Sequence, residues 1–170
     1  MKYLLLFFTI TLSTCKSTDT SNMISSIANK EIKTTDCRED GTCEVEVLKN
    51  KNYTIETDSM GNIYPKIVDG ENIVVKYTYM RGNPNNYADG SQSETIHFII
   101  SNNMKNHLED GELQNVKMLF GKNCFCKGIQ GFYKVDKGSF TIESSNINID
   151  ITIPKLGEQQ YVKKVNFTLK

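Results

Sequence analysis

A strict alternation of apolar and polar side chains is the feature that most constrains how this chain can fold. The stretch "NINIDITIP" places Ile147, Ile149, Ile151 and Ile153 at every second position, with polar residues between them. Because successive side chains of a β-strand point to opposite faces, this spacing predicts a strand with one buried face and one exposed face. The same period recurs in five other stretches, "CEVEV", "NYTIETD", "NIVVKYTYMR", "ETIHFII" and "VKKVNFTLK".

Residues that favour tight turns separate these stretches. Asp-Gly or related pairs supply the positive φ angles that hairpins need, and they occur at Asp40-Gly41, Met60-Gly61-Asn62, Asp69-Gly70, Asp89-Gly90, Asp110-Gly111 and Lys137-Gly138. Short strands with regular turns predict an all-β domain, an antiparallel β-sandwich or a partly closed barrel. The stretch "SNNMKNHLEDGE" is the one that favours a short helix, with Ser101 as its cap.

The N-terminal residues have the pattern of an export signal. Lys2 precedes an apolar run from Leu4 to Leu12, which is shorter than the roughly 20 residues that a membrane span needs. The sequence Leu12-Ser13-Thr14-Cys15 follows, and it resembles the lipobox of bacterial lipoproteins. This resemblance covers Met1 to about Thr18. It implies that residues 1–14 are a signal peptide and that Cys15 carries a covalent lipid, the only bound group expected. The alternative is ordinary cleavage after Ser13, which would give a soluble secreted protein.

Composition divides the remaining chain into a tether and one domain. Residues 15–36 are rich in Ser, Thr, Asn and Lys, a composition that cannot bury a core and favours a flexible tether. Residues 37–170 are enough for a single β-sandwich domain. The chain has 20 basic and 20 acidic side chains, so it has no electrostatic footprint for nucleic acid. The expected partners are therefore a membrane, through the lipid, and an envelope protein or glycan.

Five cysteines leave an odd thiol in an exported chain. Lipid on Cys15 leaves Cys37, Cys43, Cys124 and Cys126. A redox pair would lack the usual two-residue spacer and a helix N-terminus, and a zinc site would depart from the usual C-x₂₋₄-C spacing. Because an oxidising compartment favours disulfides, we expect these four cysteines to form two of them.

The spacing of the two later cysteines suggests how they pair. On an extended strand, the Cα atoms of Cys124 and Cys126 would lie about 6.6 Å apart, near the upper limit for a disulfide. We therefore predict that each bonds to a different distant cysteine, with Cys43 as one partner. The competing arrangement is Cys37–Cys43 with Cys124–Cys126.

Few other residues suggest chemistry. The two histidines, His97 and His107, are isolated and are interpreted as structural or surface residues, so no metal site is predicted. We find no motif for a nucleophile, a phosphate loop or a catalytic metal, and no catalytic residue is predicted. The longest insertion, "RGNPNNYADGSQS", is a candidate binding loop because Arg81 and Tyr87 are residue types that favour interfaces.

These observations predict a membrane-anchored lipoprotein that acts as a non-catalytic binding module in the cell envelope. Lys16 follows the cysteine in place of the aspartate that favours inner-membrane retention, so the resemblance implies the outer membrane, facing the periplasm. One alternative is an envelope inhibitor of a hydrolase, similar to lysozyme inhibitors. The other is an enzyme or metal-binding protein whose site is assembled from distant residues.

Overall fold

The computed structural model describes residues 33–34, 37–82 and 90–169, the first two by their backbone alone. Within these ranges the chain forms ten strands and two short 3-10 helices. The strands are β1 (Lys33–Thr34), β2 (Gly41–Thr57), β3 (Ile63–Arg81), β4 (Gln92–Ile100), β5 (His107–Glu109), β6 (Leu119–Asn123), β7 (Gly131–Lys134), β8 (Lys137–Glu143), β9 (Asn146–Thr152) and β10 (Lys164–Thr168). The 3-10 helices are η1 (Glu112–Val116) and η2 (Gly157–Gln159).

The strands form two five-stranded antiparallel sheets. Sheet A has the order β1-β10-β9-β8-β5, and sheet B has the order β2-β3-β4-β6-β7. One apolar core contains side chains from both sheets, and the rings of Phe98 in sheet B and Phe140 in sheet A meet edge to face with centroids 5.2 Å apart. Two separate sheets with a shared core confirm the predicted β-sandwich.

In strand β9 the apolar side chains predicted from the alternating sequence are the ones that are buried in the core. Ile147, Ile149 and Ile151 are buried, and Asp150 between them is exposed. Ile153 just beyond the strand is buried as well. At roughly 25 cal/mol per Å² of apolar surface removed from water, burial of this row stabilises the packing of sheet A against sheet B.

The predicted short helix does not form. Residues 107–109 make strand β5 instead, in which Leu108 is buried opposite Phe140 and both neighbours are exposed. Within residues 101–112 helical structure is confined to the last one, Glu112, where η1 begins after Gly111 at φ 79°. The prediction was wrong because this short polar stretch has one strong apolar residue, and that residue reaches the core from a strand edge.

Two other boundaries differ from the predictions. Asp69-Gly70, predicted as a turn, lies inside β3, opposite an irregularity in β2 where the register shifts between Lys49 and Lys51. Asn50, with a φ of 54°, is the one residue of β2 between these paired positions, and it lies opposite residues 70–72 of β3, so the irregularity involves both strands and the Asp-Gly pair lies at its edge. In addition, β1 pairs with β10, so sheet A includes two residues that were assigned to the tether.

Candidate functional site

Strands β2 and β3 form a hairpin that is much longer than the other strands of sheet B. Strand β4 pairs with β3 only from Ile73 to Arg81, so residues 51–69 extend beyond the sheet; we call them the distal hairpin. β3 also contacts β7, although β4 and β6 separate these strands in the sheet order. The distal hairpin therefore folds back across the outer face of sheet B, the face turned away from the core.

A second apolar cluster holds the distal hairpin in this position. Tyr53 packs there with Val74, Ile99 and Leu119, all fully or almost fully buried on the outer face. The Tyr53 hydroxyl donates to the backbone oxygen of Lys117, and the Lys117 Nζ donates to the backbone oxygen of Tyr53 at 3.0 Å. Burial raises the pKa of the Tyr53 phenol, so it stays a neutral donor.

Between the tip of the distal hairpin and sheet B lies a cleft of about 640 Å³. This volume is within the range of roughly 300–1,000 Å³ that small-molecule sites usually have. The hairpin tip forms one wall, β4 forms the floor, and the segment from β6 to β7 forms the other wall. The lining residues are Asp58, Asn62, Ile63, Tyr64, Lys76, Ser93, Thr95, His97, Gly121, Lys122, Asn123, Gln130, Gly131 and Phe132.

His97 lies at the floor of the cleft and is only 6% exposed. Its ring meets those of Tyr53 and Phe132 edge to face, with centroids 6.4 and 5.7 Å away. Burial, and to a lesser extent the charge of Lys76, lower the pKa of His97 to about 4. Among the described residues, its Nδ1 is the one buried side-chain polar atom without a hydrogen-bond partner. His97 is thus a neutral imidazole with unused hydrogen-bonding capacity.

Gly121 allows an aromatic ring to lie beside His97. A Cβ at this position would come within 2.5 Å of Thr95 Oγ1 and 2.7 Å of the Phe132 ring, closer than real contacts allow. Phe132 pairs with Gly121 across β6 and β7, so the missing side chain makes the space for the ring. The cleft therefore has an apolar aromatic surface next to a polar floor.

The charged groups of the lining are already engaged. Asp58 accepts hydrogen bonds from the backbone of Met60 and Asn62, each at 2.8 Å, and from Asn62 Nδ2 at 3.0 Å. Hydrogen bonds from the Asn62 side chain and the turn backbone lower the pKa of Asp58. Lys76 Nζ lies 3.6 Å from Glu46 Oε2. The groups that are left for a ligand are mainly uncharged.

Lys122 is neutralised by a buried partner. Its Nζ lies 2.6 Å from Glu94 Oε1, and both side chains are at most 3% exposed. Glu94 also accepts the backbone N–H groups of Tyr161 and Val162 at 2.9 and 2.7 Å. The pair therefore links β4 of sheet B to residues 161–162, which precede β10 of sheet A.

The residues of the predicted binding loop are not brought into the cleft. Arg81 donates to the Tyr161 hydroxyl at 3.0 Å, and its Nε lies 3.6 Å from Asp40. Its guanidinium carbon is 5.0 Å from the centre of the Tyr161 ring, so Arg81 is used within the protein. Tyr87 and Cys15 lie outside the described residues.

The predicted disulfide connectivity is wrong. The structure pairs Cys37 with Cys43 and Cys124 with Cys126, with Cα–Cα distances of 5.7 and 5.2 Å. The prediction assumed an extended strand through both later cysteines, but β6 ends at Asn123 and the chain bends immediately after it. The bend brings the two Cα atoms closer than two residues of strand would. The four cysteines expected in disulfides do form two pairs.

Sequence reasoning missed the cleft. It interpreted His97 as a structural or surface residue, and the structure buries this side chain on the outer face of sheet B. The signal available in the sequence was length. The segments on either side of the Met60-Gly61-Asn62 turn, which form β2 and β3, are much longer than the segment that forms β4, so part of the hairpin could not pair with β4.

No group of three or more His, Cys, Asp and Glu side chains among the described residues has a metal-binding arrangement. No helix in the same part of the chain is long and apolar enough to cross a membrane.

No family model, curated protein or solved structure matches the chain.

Proposed function

We propose that this protein is a non-catalytic binding module of the bacterial cell envelope, anchored by lipid on Cys15, and that it holds its ligand in the cleft. The observation that carries the proposal is the distal hairpin, which folds across sheet B and encloses about 640 Å³ above a buried histidine and an aromatic ring. A concave, mostly preformed site with a few polar groups is the usual form of a small-molecule site.

The chemistry of the lining supports binding rather than catalysis. A general base needs a pKa near the working pH and an orienting partner, whereas His97 has a pKa of about 4 and its Nδ1 is unpartnered. Asp58 is the one carboxylate in the lining, and its oxygens accept hydrogen bonds from its own turn. These two residues therefore do not form an acid–base pair.

The proposed location rests on the lipobox-like sequence before Cys15. About twenty residues of tether would reach roughly 25 Å on a root-mean-square basis, which holds the domain near the membrane without fixing its orientation. A tethered module of this kind would collect its ligand from the periplasm beside the outer membrane.

The test compares retention of envelope components by three forms of the purified domain. Wild type, Ser93→Trp and Thr141→Trp are incubated with a small-molecule extract of the envelope, and retained compounds are identified by mass spectrometry. Ser93 is half-buried on β4 at the floor of the cleft, so a Trp fills the cleft, while Thr141 is half-buried on the outer face of sheet A. We expect compounds that wild type and Thr141→Trp retain and Ser93→Trp loses. Equal retention by all three forms would refute the proposal.

A further inference from the structure

The unpartnered polar groups of the cleft are uncharged and cluster around an aromatic ring. Ser93, Thr95, Asn123 and Gln130 line the cleft, and their side chains make no hydrogen bond to another described residue. The nearby cations are paired, Lys122 with Glu94 at 2.6 Å and Lys76 with Glu46 at 3.6 Å, while Asp58 keeps its negative charge and accepts hydrogen bonds from its own turn. An anionic ligand would therefore find no unpaired cation among the described residues of this surface.

The protonation of His97 follows from which of its nitrogens is buried. Nδ1 is buried without a partner, whereas Nε2 is not among the buried unpartnered atoms. A buried N–H without an acceptor is costlier than a bare lone pair, so the proton belongs on Nε2. Since His97 lines the cleft, Nε2–H is the donor that it offers to a ligand.

These features together identify a class of ligand. A sugar ring has an apolar C–H face that packs on an aromatic side chain and a rim of neutral hydroxyls that both donate and accept. The Phe132 ring supplies the first surface, and hydroxyl and amide side chains with His97 supply the second. Resting on the proposed function of the cleft, we propose that its ligand is a neutral saccharide, stacked on Phe132 and accepting a hydrogen bond from His97 Nε2–H.

A peptide is the main competing ligand, and the cleft favours it less. Extended peptides are usually bound by the free edge of a sheet, through backbone hydrogen bonds. β4, at the floor of the cleft, and β6, in its wall, are paired on both sides within sheet B, and the free edge of β7 lies on the side opposite β6. The hydrogen bonds available here come from side chains on the face of the sheet, which suits a ligand with scattered hydroxyls.

The test is a titration of the folded domain with defined probes. Cellotetraose, maltotetraose and N-acetylchitotetraose are the neutral saccharides, and tetragalacturonate and tetra-alanine are the comparators. Binding is measured by calorimetry on wild type, His97→Phe and the matched control His107→Phe, since His107 is exposed on β5. Histidine is ¹⁵N-labelled, and because the chain has only two histidines the signals of His97 are readily assigned.

We expect at least one neutral tetrasaccharide to bind wild type and to shift the His97 ring signals. His97→Phe keeps a ring of similar size and removes the donor, so we expect about a tenfold rise in Kd, as for the loss of one hydrogen bond. His107→Phe should leave Kd unchanged. Thermal unfolding of each variant verifies that it is folded, and Phe132→Leu gives a second test if His97→Phe does not fold.

Three results would overturn the inference. The first is saccharide binding that neither His97→Phe nor Phe132→Leu weakens. The second is binding of only tetragalacturonate or tetra-alanine in a manner that Ser93→Trp abolishes, which would leave the proposed function intact. The third is no binding of any neutral tetrasaccharide at millimolar concentration. In that case the retention experiment with the envelope extract decides separately whether the cleft binds another ligand.

Discussion

At the scale of single residues, the domain buries polar groups in two contrasting ways. Lys122 and Glu94 form an ion pair in which the Lys122 Nζ also donates to the Gln159 oxygen at 2.7 Å and Glu94 accepts two backbone N–H groups. Such a pair tolerates burial because its hydrogen bonds are satisfied. His97 is buried to a similar extent, yet its Nδ1 has no partner among the described residues. The ligand proposed for the cleft bonds Nε2–H, so this buried Nδ1 stays a bare lone pair in the free and in the bound protein.

This burial of His97 predicts a specific dependence of stability on pH. The pKa of His97 is about 4 in the folded protein, and it returns to about 6.5 on unfolding. Above pH 6.5 neither state binds the proton; between 6.5 and 4 only the unfolded state does, so stability falls as the pH is lowered. The 2.5-unit difference corresponds to about 3 kcal/mol when the pH is below 4.

Urea unfolding at pH 7.5 and 4.5 measures this effect. The loss of stability between these values should be about 2–3 kcal/mol larger for wild type than for His97→Phe. Lys76 on β3 and Tyr53 on β2 are the ionisable neighbours of His97, and both remain in the variant. His107→Phe serves as the control and should lose as much stability as wild type. Equal pH dependence in wild type and His97→Phe would contradict the burial described here.

At the scale of elements, the distal hairpin depends on one anchoring side chain. The Tyr53 hydroxyl donates to the backbone oxygens of His97 and Lys117, and its ring is fully buried. Tyr53→Phe removes this hydroxyl, so the backbone oxygens of His97 and Lys117 each lose one hydrogen-bond donor. We expect a loss of about 1–2 kcal/mol and faster amide hydrogen exchange in residues 51–69 than in β9. Tyr64→Phe is the control, because its hydroxyl bonds an exposed Glu56. Uniform acceleration across both sheets would contradict a local anchoring role.

Strand β9 gives a test of the register. Ile149→Ala removes a buried side chain from the core and should cost about 2–5 kcal/mol, because the cavity collapses only in part. Asp150→Ala should cost little, since its ion pair with Lys164 at 3.1 Å is exposed. Chemical unfolding of both variants measures the difference. Similar, small losses in the two variants would show that this face of β9 is not the buried one.

A strand could be predicted from the sequence where apolar and polar side chains alternate along it. β9 and β4 followed from their period of two, because one face of each packs on the core. The irregularity at Asn50 and residues 70–72 was predicted only as a turn at Asp69-Gly70, because a bulge depends on how two distant segments pair. The cleft lies between sheet B and the tip of the hairpin beyond this irregularity, so it was not predicted either.

At the scale of the whole molecule, the sandwich was predictable and the cysteine pairing was not. Strand spacing and turns gave two layers, but the order of strands within each sheet depends on long-range contacts. The pairing of Cys124 with Cys126 depends on where β6 ends, at Asn123, which the alternation of "VKMLFGKNC" did not show. Both later cysteines are therefore joined locally, and neither disulfide connects the two sheets.

The observed pairing sharpens the prediction for the N-terminus. The four cysteines of the described residues bond to one another, and Cys15, the fifth in the chain, lies outside those residues. We predict that Cys15 becomes the mature N-terminus and carries lipid. Each buried CH₂ contributes about 0.8 kcal/mol to membrane binding, so two or three acyl chains hold the protein firmly.

Metabolic labelling with an alkyne fatty acid, followed by mass spectrometry of the N-terminal peptide, measures lipid on Cys15 directly. Wild type and the control Ser17→Ala should be labelled and sediment with membranes, while Cys15→Ser should be unlabelled. An unmodified N-terminus at Thr14, or a label that persists in Cys15→Ser, would refute the anchor and leave the β-sandwich as a soluble exported domain.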